Sequence, residues 1–349
     1  MNNHPILGNG SLGARWPTLD PFLFCVHHRD AYPTANGAFG PRATLAGRNI
    51  GQDFAGIDGW NMYHGEKVPG FPAHPHRGFE TVTLVRQGVI DHSDSLGAAA
   101  RFGAGDTQWL TAGRGIVHSE MFPLLNQQAP NPLELFQIWL NLPARSKMAN
   151  PYFTMFWADD IPKTVHVDRS GRSTCVTHVA GAPRDRALQM PAPPPDSWAS
   201  QVQSELAIWT LHMEPGAELT LAPASDAKVN RCLYFFRGPA IDIAGKRLDQ
   251  HAAIQLRADH PVILVNGESA AEFLLLQGRP IGEPVVQYGP FVMNTREEVE
   301  QAFADYRHNQ FGGWPWPAPD PVHQQAAGRF ARHANGTTEY PASRSQVAR

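Results

Sequence analysis

The sequence predicts an all-β protein, built as two strand-rich blocks with one short helix near the C-terminus. Three observations carry that reading. Glycine and proline are abundant, 31 of each in 349 residues, which favours short strands joined by turns over long helices. Short runs of apolar and β-branched residues recur at close spacing in 20–150 and again in 206–277, the grammar of a barrel or sandwich. A proline-rich stretch, 182–197, with Pro193-Pro194-Pro195 at its centre, separates the two blocks; a run of this kind is a linker or a long surface loop. The length itself exceeds one ordinary core and suits two domains with tails.

Taken in order, 1–19 reads as an irregular lead-in. The first block, 20–150, has strand candidates at 80–86, 88–92 and 107–111, with turns at Gln87-Gly88, 93–97 and Gly105-Asp106. Residues 133–142, LELFQIWLNL, alternate and are rich in large apolar groups, the pattern of a core strand. A connecting segment, 151–205, contains the proline-rich loop. The second block, from 206, has its clearest strands at 208–213, 231–236, 253–256 and 272–276, with turns at Pro215-Gly216 and Asn266-Gly267. The similar length and grammar of the two blocks suggest an internal duplication. A helix closes the second block at about 308. Thr295 is its N-cap, Glu298 completes a capping box, and Val299, Phe303 and Tyr306 form one apolar stripe. Gly312-Gly313 stops it. The tail, 309–349, is polar and patternless and reads as disordered.

Composition excludes several classes of function. Hydrophobic residues make up 42% and charged residues 17%, with a formal net charge of −3. That balance offers no broad electrostatic grip on nucleic acid or an anionic membrane, so neither is expected as a partner. Cys25, Cys175 and Cys232 are far apart and odd in number, without a CxxC pair, which argues against a disulfide framework or a thiolate zinc site. The first ten residues lack the basic start and apolar run of a signal peptide. No stretch approaches the ~18 apolar residues of a membrane span. A cytoplasmic monomer is expected.

The chemistry concentrates in two short motifs. His74-Pro75-His76 places two imidazoles at i and i+2, on one face of an extended backbone. His118-Ser119-Glu120 repeats the arrangement with an imidazole and a carboxylate. On neighbouring strands the two pairs would face each other across a barrel interior. Three neutral nitrogen donors and one anionic oxygen suit iron, nickel, manganese, copper or zinc, and are too nitrogen-rich for calcium or magnesium. Four protein ligands leave open positions on a six-coordinate metal, the mark of a catalytic rather than a closed structural site. A lone HxH also fits a surface turn, and it is the second pair that raises the metal reading above that. His27, His28, His166, His178, His212, His251 and His260 lack such partners and read as surface or satisfied histidines. Glu80 shares strand parity with His74 and His76 and reads as a supporting or structural carboxylate rather than a ligand.

These residues sit in longer stretches that resemble the pirin family of cupins. HPHRGFETVTLV (74–85) resembles the cupin first motif in its pirin form. DHSDSLG (91–97) and GDTQWLTAGRGIVHSEM (105–121) resemble the pirin second motif, QIWLNLPARSKM (137–148) continues the likeness, and EPVVQYGPFVMNTREEV (283–299) resembles the segment that closes the C-terminal domain. The resemblance spans roughly residues 20–306. It implies two cupin β-barrels, a bicupin, with a single metal in the N-terminal barrel held by His74, His76, His118 and Glu120. It also implies that Glu80, a ligand in many other cupins, is not one here. The second block has neither HxH nor HxE and is expected to be metal-free.

The resemblance further implies a function. Several pirins are similar to quercetin 2,3-dioxygenases, which open a flavonol ring with dioxygen. On that reading the substrate is a small flavonol-like aromatic, the metal is most simply Fe(II), and Glu120 is the general base. The alternative implied by other pirins is non-enzymatic: a metal- or redox-dependent regulator that binds a transcription factor or a metabolic enzyme.

Overall fold

The computed structural model describes residues 4–184 and 186–342. It is an all-β protein with, among the described residues, one α-helix, short and near the C-terminus. The chain divides into two compact units. One comprises 27–137, 144–159 and 283–349; the other comprises 1–26, 138–143 and 160–282.

The first unit is built on two sheets. Tyr152–Phe156, Thr107–Thr111 and Phe79–Gln87 lie side by side in one, continued by Asn131–Asn141 and Phe22–Tyr32. Phe330–Arg332, Ala99–Gly103, Val89–Asp94, Ile116–Met121 and Gly70–His76 lie in that order in the other, with Thr338–Glu339 at its edge. Val85 and Leu110 from the first sheet and Ile90 and Phe102 from the second share one buried apolar cluster, so the two inner faces close on each other. Gly78 makes the turn between Gly70–His76 and Phe79–Gln87. Its φ is +86°, and a Cβ there would lie 2.0 Å from the Val292 carbonyl oxygen. Only glycine fits.

The second unit repeats the plan. Its larger sheet orders Ile6–Ser11, Ala252–Arg257, Asn230–Arg237, Ala271–Gly278, Ala207–Met213, Ser173–Ala180 and Lys163–Val167. A smaller one orders Glu218–Leu221, Val262–Asn266, Ile241–Ile243 and Lys246–Leu248. Leu233, Phe235, Phe273 and Leu275 pack against Leu219, Leu221 and Leu264 in a single apolar core.

Four elements differ from the expectation or add to it. The lead-in is not wholly irregular: Ile6–Ser11 pairs antiparallel with Ala252–Arg257. Its sequence, ILGNGS, is mostly exposed and glycine-rich, so it lacks the period-two pattern by which strands are recognised; backbone pairing holds it, helped by Ile6 against the core. The connecting segment carries three strands, Tyr152–Phe156, Lys163–Val167 and Ser173–Ala180, ahead of the proline-rich loop. The helix, Arg296–Asn309, forms with the anticipated capping box; it closes the second block along the chain as expected and packs within the first compact unit. Arg77 donates to Asp305 at 2.7 Å, and Phe303 and Tyr306 pack on Phe291 and Val117. Gln310, in a left-handed conformation, caps it ahead of the two glycines.

The tail is the fourth. Residues 343–349 lie outside the described residues. The part before them is fastened to the first unit: Phe330–Arg332 pairs with Ala99–Gly103. Arg101 donates to the carbonyls of His323, Gln324 and Ala327 at 2.8–2.9 Å. Polar composition signals disorder when nothing else holds the chain; here a buried guanidinium more than two hundred residues away does.

Candidate metal centre

Gly70–His76 and Ile116–Met121 pair antiparallel with His74 opposite His118. Val89–Asp94 pairs with the other edge of Ile116–Met121, with His92 opposite Glu120 and Asp94 opposite His118. Close approach of the first two strands depends on Gly70, whose φ is +133° and where a Cβ would lie 2.5 Å from the Glu120 carbonyl oxygen. The i, i+2 spacing then does what extended backbone dictates. The rings of His74 and His76 have centroids 4.8 Å apart, and His118 stands 4.5 and 4.9 Å from them. One nitrogen from each of the three lies within 4.8 Å of the others.

The surroundings keep these imidazoles neutral. Burial pushes His74 down to about 4. Burial, then the neighbouring imidazoles, holds His76 and His118 well below the ordinary histidine range. A neutral imidazole has a lone pair to give. His74 Nδ1 lies 2.8 Å from the Pro72 carbonyl oxygen, which fixes the ring and leaves Nε2 facing the cluster, the usual outer anchoring of a metal-ligating histidine. Neither ring nitrogen of His118 has a hydrogen-bond partner among the described residues, though the side chain is fully buried. An orphaned imidazole costs free energy that a bound cation removes. The donor set therefore fits a divalent transition metal.

Glu120 is not within the three-histidine group. Its carboxylate is buried and hydrogen-bonded: Thr83 Oγ1 lies 3.0 Å from Oε1, and Gln137 Nε2 donates to Oε2 at 3.3 Å. Thr83 Oγ1 also lies 2.7 Å from Gln137 Oε1; with one proton, the hydroxyl serves one acceptor at a time. Burial raises Glu120 above the usual carboxylate range, against the opposing pull of His92, Thr83 and Gln137. Glu80 is buried as well and accepts from Thr111 Oγ1 at 2.7 Å, a supporting place in the sheet. His27 and His28 are satisfied, by Glu134 at 3.0 Å and by Tyr63 at 2.8 Å.

Thr83, Gln137, His92 and Asp94 were not singled out from the sequence. His92 is fully buried, 3.1 Å from Asp94 through Nε2 and with its ring 5.6 Å from that of His118. The i, i+2 spacing of His92 and Asp94 is itself a same-face signal. Thr83 and Gln137 carry no local signal; only the pairing of distant strands brings them to Glu120.

Comparison with known proteins matches these features to a family. Residues 17–140 match the Pirin family and residues 208–312 the Pirin C-terminal cupin domain. The chain belongs to the pirin family. A pirin-like protein of Caulobacter vibrioides is 37% identical over 243 residues, covering 69% of this chain and 80% of that one. Pirin of Mus musculus is 33% identical over 270 residues, covering 72% and 81%. Among solved structures, quercetin 2,3-dioxygenase from Acinetobacter baumannii is similar with a TM-score of 0.66 and 27% identity, over 89% of this chain and 96% of that one. The pirin match ends at 312, so the fastened tail is additional to it. Among the described residues no helix is long and apolar enough to cross a membrane.

Proposed function

We propose that this pirin is a metal-dependent dioxygenase that opens flavonol-type substrates, with His74, His76, His118 and Glu120 as the metal-holding residues and Glu120 also as general base. The observation that carries the reading is the three-histidine cluster, His76 and His118 buried and His74 partly so, with His118 unsatisfied at both nitrogens among the described residues. The likeness to quercetin 2,3-dioxygenase supports the substrate class. When bound, the metal would supply Lewis acidity, and the preferred Fe(II) also a redox partner for dioxygen; nickel, manganese and copper are alternatives, and zinc one that acts as Lewis acid alone.

The chain's own contribution is positioning and proton transfer. A flavonol must lose its enolic hydroxyl proton to become reactive. Glu120 accepts that proton, its basicity raised by burial and its carboxylate held by Thr83 and Gln137. Phe71, with its ring 6.3 Å from that of His74 and stacked on Tyr63 at 5.2 Å, offers an aromatic face beside the cluster. The three free cysteines are in keeping with action in the cytoplasm.

Oxygen-dependent quercetin consumption and carbon monoxide release test the proposal on iron-loaded protein of measured metal content. Wild type should turn over. Glu120→Ala should lose about 10²–10⁴ in kcat while retaining metal. A variant that loses its metal in proportion to its activity would reduce Glu120 to a ligand. A fully loaded wild type that leaves quercetin intact would sink the dioxygenase reading in favour of a metal-dependent binding protein.

A further inference from the structure

The second unit contains a buried cation without a counter-charge among the described residues. Arg231 stands opposite Gln277 in the pairing of Asn230–Arg237 with Ala271–Gly278. On the same two strands Leu233 faces Leu275 and Phe235 faces Phe273, and these four belong to the apolar core. Side chains two apart share a face, so Arg231 and Gln277 continue the core-facing rows. Trp209, opposite Leu275, and His178, opposite Trp209, extend them across the sheet. At this end the apolar interior gives way to a guanidinium, an amide, an indole and an imidazole. A cavity of about 60 Å³ lies among them, closed on its far side by Leu219 and Leu221.

Most of the groups are held by neighbours. Arg231 Nε donates to Gln277 Oε1 at 2.8 Å, and Gln277 Nε2 donates to the Glu205 carbonyl at 3.0 Å, which fixes the amide. His178 Nε2 lies 2.9 Å from Thr164 Oγ1, and Trp209 donates to the Gly181 carbonyl at 2.6 Å. Arg231 is 3% exposed, and its Nη1 has no partner among the described residues. Arg231 forms no ion pair among those residues either. The acid that acts on it, Glu205, is engaged by Arg279 at 3.0 Å and by the Ser225 amide at 2.9 Å. Burial pushes the Arg231 guanidinium down to about 10, which leaves it charged at neutral pH. An unpaired buried charge is among the most costly arrangements a core can hold.

We propose that this cavity is a binding site for the carboxylate of a small aliphatic acid, received by the free Nη1 side of Arg231. The guanidinium fork matches a carboxylate in plane and spacing. The volume admits a group of a few heavy atoms, and Pro183 and Pro223 add apolar surface to its lining for a short alkyl tail. The site is independent of the metal centre and needs no metal.

Isothermal titration of the full chain with sodium acetate, and with acetamide as the neutral isostere, tests it. Acetate should bind wild type with Kd of roughly 0.1–1 mM, near what so small a ligand reaches, and acetamide should not. Arg231→Met should weaken acetate by about 10- to 100-fold; should it not fold, Arg231→Gln serves the same comparison. His118→Ala should bind acetate as wild type does, which separates this site from a carboxylate on the metal. Equal binding of acetate and acetamide, or undiminished binding by the Arg231 variants, would overturn the proposal. So would loss of acetate binding in His118→Ala, or a crystal structure in acetate that shows only water at Arg231.

Discussion

Two strands, one from each unit, are buried at every position and yet are spent differently. Ile116–Met121 carries His118, Ser119 and Glu120 among its six buried residues. Ala271–Gly278 carries Phe273, Leu274, Leu275 and Leu276 among its eight. The first presents an imidazole and a carboxylate to the interior of its unit; the second presents hydrocarbon. The contrast extends beyond the strands. Both units have an apolar cluster between their sheets, but the first adds His92 and Asp94, buried on the same strand face as Ile90 and beside His118. One cupin plan thus serves two ends: where a core carries polar groups as well as hydrocarbon, each of them needs a partner, and on the proposed reading a metal is one.

The two buried arginines make the sharpest form of that comparison. Arg101 uses all five of its donors: two on Asp91 at 2.6 and 2.7 Å and three on tail carbonyls. Arg231 leaves Nη1 open. Arg101→Ala should therefore have the largest effect, a loss of about 3–5 kcal/mol, because Asp91 is stranded as a buried charge. Urea unfolding measures that loss. Limited proteolysis should at the same time find new cleavage within 313–342, since the carbonyls of His323, Gln324 and Ala327 lose their donor. An unchanged cleavage pattern would mean that strand pairing alone fastens the tail.

Removing a polar group from the metal site should act with the opposite sign. His118→Leu takes away an imidazole with no protein partner and substitutes a hydrocarbon of similar bulk. Metal binding should be lost, while the metal-free protein gains about 1–3 kcal/mol, the desolvation cost of an unsatisfied buried group. Thermal unfolding in chelator, wild type against variant, checks the sign. A destabilised variant would show that His118 has partners in the apo state and that the metal-site interior is less strained than its geometry implies.

How much of this was legible in the sequence depends on whether the physics was local. His74, His76 and His118 could be read because strand parity is a two-residue rule, and Thr295 with Glu298 because a capping box spans four positions. The stretches that resemble pirins extended that reading to the fold and to the unpatterned residues between motifs. Long-range contacts left no such trace. Thr83 and Gln137 reach Glu120 only through sheet order, Ile6–Ser11 becomes a strand only beside Ala252–Arg257, and the tail is ordered by an arginine at the other end of the chain. Glu120 lies between these cases: its place on the His118 strand followed from spacing, but its hydrogen bonds to Thr83 and Gln137 did not.

The smallest expected effect concerns which unit owns the helix. Thr295 Oγ1 accepts from the Glu298 amide at 3.2 Å, and Glu298 Oε2 accepts from the Thr295 amide at 3.0 Å. Losing the side-chain half of that box by Thr295→Ala should cost about 1 kcal/mol. Because Phe303 and Tyr306 pack on Phe291 and Val117, and Val117 lies next to His118, the cost should fall on the metal-site unit. Hydrogen exchange resolves the two units separately. Amides of Ile116–Met121 should exchange faster in Thr295→Ala, while those of Ala271–Gly278 keep their wild-type rates. Faster exchange in the apolar unit instead would reassign the helix to the block that precedes it in sequence, where its position along the chain had first suggested it belonged.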